Sequence, residues 1–104
     1  MIMTTTESIP GREVTQILGV VRGNTIRAKH LGKDIMAGLR NLVGGEIKEY
    51  VQALTEAREQ AIERMAAQAN DLGADAVINI RFATSQIMTG AAELLAYGTA
   101  VKLN

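Results

Sequence analysis

Arg58 is the polar residue whose position most needs an explanation. From Lys48 to Gly73 the apolar residues Val51, Leu54, Ala61, Ile62, Met65, Ala69 and Leu72 recur at the three- and four-residue spacing of one helical face. At 100° per residue Arg58 falls inside that stripe, between Leu54 and Ile62, where a guanidinium needs a partner. Two kinds of partner fit. An acid such as Glu93 or Asp75, or a set of strand-end carbonyls, would make Arg58 a buried or interface structural bridge. A small anionic ligand held between the helix and a neighbour would make it a clamp, because the planar guanidinium matches an oxyanion bidentately.

Other residue types carry weaker chemistry. Glu56, Glu59 and Glu63 share a helical face and supply hard oxygen ligands for a divalent cation, although such a row more often forms a solvated surface. His30 is the single histidine; with no cysteine in the chain it makes a poor transition-metal site and reads first as a surface residue at a helix start. Gly44 and Gly45, with Arg40 one turn upstream, could aim backbone N–H groups at an anion, but no P-loop lysine or full Gly-x-Gly-x-x-Gly accompanies them, and helix punctuation is the simpler reading. Tyr50 and Tyr97 offer a ring and a hydroxyl to a ligand, or ordinary packing with the hydroxyl at the edge. No Ser-His-Asp order and no Ser-x-x-Lys run occurs, so the pattern asks for no catalytic centre and no organic cofactor.

The scaffold that must position these residues is small. A chain of 104 residues with 47% apolar content builds one domain, 1–104, and with one Phe, two Tyr and no Trp its core is aliphatic and Ala-rich. Eleven basic residues balance eleven acidic ones, which leaves no electrostatic footprint for nucleic acid or an anionic membrane. The absence of cysteine excludes disulfides and thiolate metal sites. The N-terminal run lacks the basic and apolar regions of an export signal, and no stretch is apolar enough to span a bilayer, so the expected location is cytoplasmic.

Residues 1–5 suit a short strand, and Glu7 to Gly11 holds the only proline, followed by glycine, a turn signal. The β-branched run from Arg12 to Ala28 predicts a long strand kinked at Gly19 or Gly23, or two strands broken near Gly23-Asn24. Leu31, Ile35, Leu39 and Leu42 predict a helix over 30–43, stopped by Gly44-Gly45. The long helix from Lys48 has Gly73 as its natural stop. Ala76, Ile78, Ile80 and Phe82 alternate along a strand over 74–85, and Leu95, Tyr97, Thr99, Val101 and Leu103 along one over 92–103, joined by a turn near Thr89-Gly90. The fold class is α+β, an antiparallel sheet with helices packed on one face.

That layout predicts self-association. The last strand presents Ala92, Leu94, Ala96, Gly98 and Ala100 on its second face, a row of small apolar residues where a water-facing sheet should be polar. Such a row marks the close approach of another layer, and a neighbouring copy is the economical source of one.

Several spaced segments carry a family resemblance: Gly44-Gly45-Glu-Ile-Lys-Glu-Tyr50, Ala57-Arg58-Glu-Gln-Ala61, Arg64-Met65, Gly73-Ala-Asp-Ala-Val77 and Tyr97-Gly98-Thr99-Ala100-Val101. Together, over essentially the whole chain, they resemble the YbjQ family of small bacterial and archaeal proteins. The resemblance implies a dodecin-like β-α-β-β subunit assembled into a ring, a homopentamer. Its label is heavy-metal binding, with no reaction attached, and the family's motifs fall here on Arg40, Gly44, Gly45, Tyr50 and Arg58. The leading functional expectation is a ring-shaped module that binds a small ligand or ion. A structural or regulatory oligomer with no ligand is the alternative, and an enzyme with an interface site a third.

Overall fold

The computed structural model of the chain describes residues 1–27, 48–88 and 91–104. Within them run β1 (Ile2–Met3), β2 (Val14–Arg27), a helix α1 (Lys48–Asp71), β3 (Ala76–Met88) and β4 (Ala91–Leu103). The helix expected over 30–43, with His30, Arg40 and the Gly44-Gly45 stop, lies outside the described residues, as does the turn at Thr89-Gly90. From β2 onward the described elements run β-α-β-β.

The four strands form one sheet in the order β1-β3-β4-β2. β4 is central, antiparallel to β2 from Val14↔Leu103 to Arg27↔Ala92 and to β3 from Ala76↔Val101 to Met88↔Ala91. The sheet is mixed rather than antiparallel throughout, because β1 pairs parallel with β3 through Ile2↔Ala76 and Met3↔Val77. A two-residue pairing leaves almost no trace in a sequence pattern. After β1 the chain hydrogen-bonds along the β3 edge as far as Ile80, whose N–H donates to Thr4 O at 3.1 Å.

The helix ends as glycine dictates. Gly73 has φ 75°, and the N–H groups of Gly73 and Ala74 donate to Asn70 O and Ala69 O, satisfying carbonyls the last turn leaves open. Its buried line is narrow: Ala57, Ala61, Met65 and Ala69 are each four residues apart, and the last three lie against Val21, Val77, Ile80, Ala96 and Ala100. Gly23 lets this happen. A Cβ there would lie 2.2 Å from Ala61 O and 2.4 Å from Met65 N, so the helix rests directly on the β2 backbone. Gly23 therefore marks close packing and breaks no strand; the irregularity falls at Gly19, with φ 129°, where the register to β4 shifts.

Two expectations about the sheet are corrected here. The small residues Ala96, Gly98 and Ala100 are buried, and Ala96 and Ala100 pack in the cluster beneath the chain's own helix, so no neighbouring copy is needed to cover that row. Second, Ala76, Ile78, Ile80 and Phe82 do not share a face. The register shifts between Ile78↔Thr99 and Arg81↔Tyr97 around Asn79, whose φ of 55° is left-handed. The extra residue leaves Ala76 and Ile78 in a second cluster with Val101, Leu103 and Ile9, on the face away from the helix, and puts Ile80 in the core under the helix.

The edge strand β2 is tied to the rest at both ends of the described sheet. Asn104 N–H donates to Glu13 O, Glu13 N–H to the Asn104 side-chain carbonyl, and the Arg12 Nε and Nη2 groups to Asn104 O. Farther along, Arg22 N–H donates to Gln68 Oε1 at 2.7 Å and Arg64 Nη1 donates to Asn24 O, so helix side chains occupy two of the outward backbone groups of the strand.

Candidate functional site

Arg58 stands one position past the buried Ala57 and is exposed. The stripe read from Leu54, Ile62 and Met65 was centred one row off: the closest helix–sheet line consists of small residues, and Leu54 and Ile62 flank it half-buried. Neither proposed acid meets Arg58. Asp75 accepts the Leu103 N–H at 2.8 Å through Oδ2 and lies 4.0 Å from Lys102 Nζ through Oδ1, while Glu93 Oε2 accepts from Asn24 Nδ2 at 3.0 Å. Glu56, Glu59 and Glu63 are exposed. Tyr50 falls in the first turn of α1, and Arg40, Gly44, Gly45 and His30 lie outside the described residues, so the sequence-derived candidates are not drawn together into one described site.

What the strands do bring together is a row across the face opposite the helix. Arg22 pairs with Tyr97 on one side and Arg81 pairs with Tyr97 on the other, so two arginines flank one tyrosine on a common face. The Asn79 bulge creates this row, since without the extra residue the alternation would turn Arg81 to the opposite face. No signal in the sequence marks that slip. Arg81 Nη1 donates to Thr5 O and to Ile80 O, both at 2.8 Å, which fixes one end of the row against the N-terminal segment. The next pairs along the face place Asn24 opposite Leu95 and Ile26 opposite Glu93.

Around the row the face is apolar and open. Ile17 is 70% exposed, Val20 65%, Ile26 58% and Met88 64%, and each pairs across to a β4 residue of the outer-facing set. Scattered exposed apolar residues are ordinary; here they run along one face, interrupted by Arg22, Tyr97 and Arg81.

Metal chemistry finds little purchase here. Among the described residues no three His, Cys, Asp or Glu side chains are grouped to hold an ion, and the chain has no cysteine for a soft metal. Among the described residues no helix is long and apolar enough to cross a membrane.

Fold and surface together define a small α+β subunit: among the described residues, one long helix seated on a mixed four-stranded sheet whose opposite face is covered by Ile9 at one end and exposed around Arg22, Tyr97 and Arg81. The chain belongs to the YbjQ family, whose model, described as "Putative heavy-metal-binding", matches residues 1–104. A UPF0145 protein of Archaeoglobus fulgidus is 67% identical over 103 residues, which cover 99% of this chain and 95% of that one. A UPF0145 protein of Psychromonas ingrahamii is 62% identical, with 99% and 98% covered. A crystal structure of a protein of unknown function from Pediococcus pentosaceus, of the DUF74 family, shares the fold at a TM-score of 0.67 and 17% identity, covering 100% of this chain and 98% of that one. The donor set of the described residues does not fit the heavy-metal description.

Proposed function

We propose that this chain is the subunit of a cytoplasmic homo-oligomer, a ring of five copies in a dodecin-like arrangement, that binds a small ligand or ion at its subunit boundaries and catalyses no reaction. The observation that carries the reading is the open outer face, with Ile17, Val20 and Ile26 more than half exposed around Arg22, Tyr97 and Arg81. With principal extents of 53 × 28 × 16 Å the subunit is thin, and a second layer against that face would bury the apolar strip as a core does.

The basic residues of the same face suit a small oxyanion, which two guanidinium groups and a phenol can hold once neighbouring chains exclude water. A structural or regulatory assembly with no ligand is the alternative.

Sedimentation velocity at micromolar concentration tests the assembly. Wild-type protein is expected to run as a discrete oligomer and Val20→Asp, which places a charge in the open strip, to shift it toward smaller species. A folded wild-type monomer, or a Val20→Asp variant that assembles as well as wild type, would sink the reading. Native mass spectrometry of the purified oligomer decides between bound ligand and none.

A further inference from the structure

The sheet has two edges, and they are treated differently. Along β2 the strand alternation turns Arg22 and Asn24 outward, and the helix side chains Gln68 and Arg64 take up the Arg22 N–H and the Asn24 carbonyl. That edge is blunted against strand addition, as exposed edges commonly are. Along β3 the N-terminal segment does the same work only as far as Ile80.

Beyond Ile80 the edge continues with no described strand beside it. Arg81, Ala83 and Ser85 pair with Tyr97, Leu95 and Glu93, and the outward direction of the Ile80 N–H sets the phase. The backbone groups of Phe82, Thr84 and Gln86 then point away from β4. Among the described residues no strand pairs with them, and every residue from Arg81 to Met88 is exposed. The stretch Phe82-Ala-Thr-Ser-Gln86 contains no charge, proline or glycine, the devices that normally protect an edge.

We propose that this edge is a pairing site for the same edge of a second copy of the chain, antiparallel about a two-fold axis through Thr84. The geometry is self-complementary. Centring on Thr84 pairs Thr84 with its counterpart and Phe82 with Gln86 of the second copy, so all three outward-facing residues exchange hydrogen bonds. Ala83 then faces Ser85 across a narrow pair, with Cα atoms about 4.5 Å apart. No like charges oppose one another over the span, and threonine opposite threonine is a favourable cross-strand pair. This contact uses a different surface from the open face. Being two-fold, it joins copies in pairs, so two rings meeting through it contain an even number of chains.

The absence of native cysteine makes a direct test clean. Ala83→Cys and Ser85→Cys proteins are purified separately, mixed, allowed to exchange and oxidised gently. The expected result is a disulfide-linked dimer in the mixture, several-fold above either protein alone, because position 83 faces 85 and neither faces itself; its distance suits a disulfide. Adding Thr84→Pro to both proteins, which removes an outward N–H and no bond to β4, is expected to cut that yield by about tenfold or more. Should the proline variant fold poorly, Thr84→Glu and Thr84→Lys replace it: each alone loses the contact and the mixture regains it. No excess dimer in the mixture overturns the proposal, as does a yield that proline or like charge leaves unchanged. Sedimentation keeps the two readings apart. Association without cross-linking sinks the edge contact alone, and cross-linking confined to dimers that Val20→Asp does not affect sinks the open-face assembly alone.

Discussion

Replacing Gly23 by alanine adds a single methyl group, and the structure fixes what it meets. The new carbon would stand 2.2 Å from Ala61 O, 2.4 Å from Met65 N and 2.8 Å from Arg64 Cβ. Two of these are helix backbone atoms, which cannot swing aside as a side chain does. Relief requires lifting α1 from β2 by about 1 Å, enough to forfeit a quarter to a half of the dispersion energy of each contact so opened. The contacts at risk are those of Ala61, Met65 and Ala69 with Val21, Ala96 and Ala100. Overpacking of this kind costs about 3 kcal/mol, against a total stability of about 5–15 kcal/mol for a domain. In thermal unfolding followed by circular dichroism, Gly23→Ala is expected to melt about 10–20 °C below wild type. Gly19→Ala is the control: nothing lies within 4 Å of its added carbon, and only the backbone angle of 129° resists, at about 1–2 kcal/mol. A Gly23→Ala protein melting within about 3 °C of wild type, or no worse than Gly19→Ala, would refute the claim that the helix seats on this glycine.

Arg58→Met is expected to leave subunit stability within about 0.5 kcal/mol of wild type in urea unfolding, because the side chain is exposed; a loss of about 3 kcal/mol or more, the cost of removing one partner of a buried ion pair, would contradict this placement. Asp75→Ala strips the acceptor from the Leu103 N–H and is expected to cost about 1–2 kcal/mol. Lys102→Ala, which removes only a partly exposed pair at 4.0 Å, should cost about 0.5 kcal/mol or less in the same assay, and the reverse ranking would show that the ion pair dominates.

The elements whose periodicity spans many residues were legible in the sequence. The stripe from Val51 to Leu72 marks α1, Gly73 marks its end, and the alternations around Ile78 and Tyr97 mark β3 and β4, because each rests on a repeated spacing. What escaped turns on single residues. A left-handed Asn79 reverses the facing of everything after it in β3, and asparagine at that position reads as any polar strand residue. Small residues at Ala96, Gly98 and Ala100 announce a close neighbour without saying whether it is the chain's own helix or another molecule. The stripe on α1 was centred on its bulkiest residues, whereas the tightest line runs through alanines, and that difference moved Arg58 from the core to the surface. The row of Arg22, Tyr97 and Arg81 depends on the Asn79 slip and shared its invisibility.

The register of β2 has a consequence for how the molecule is born. Its long partner is the last strand of the fold, with Val14 finding Leu103 and Ile17 finding Val101. A nascent chain leaving the ribosome therefore carries β2 unpaired until β4 has been made, with Ile17, Val20, Val21 and Ile26 in the open. Until β4 arrives, α1 can rest on β2 at Val21 and Gly23 but lacks the part of its floor that Ala96 and Ala100 supply. Folding of this subunit thus waits on β4, and the interval before that strand appears is when it most needs protection from aggregation.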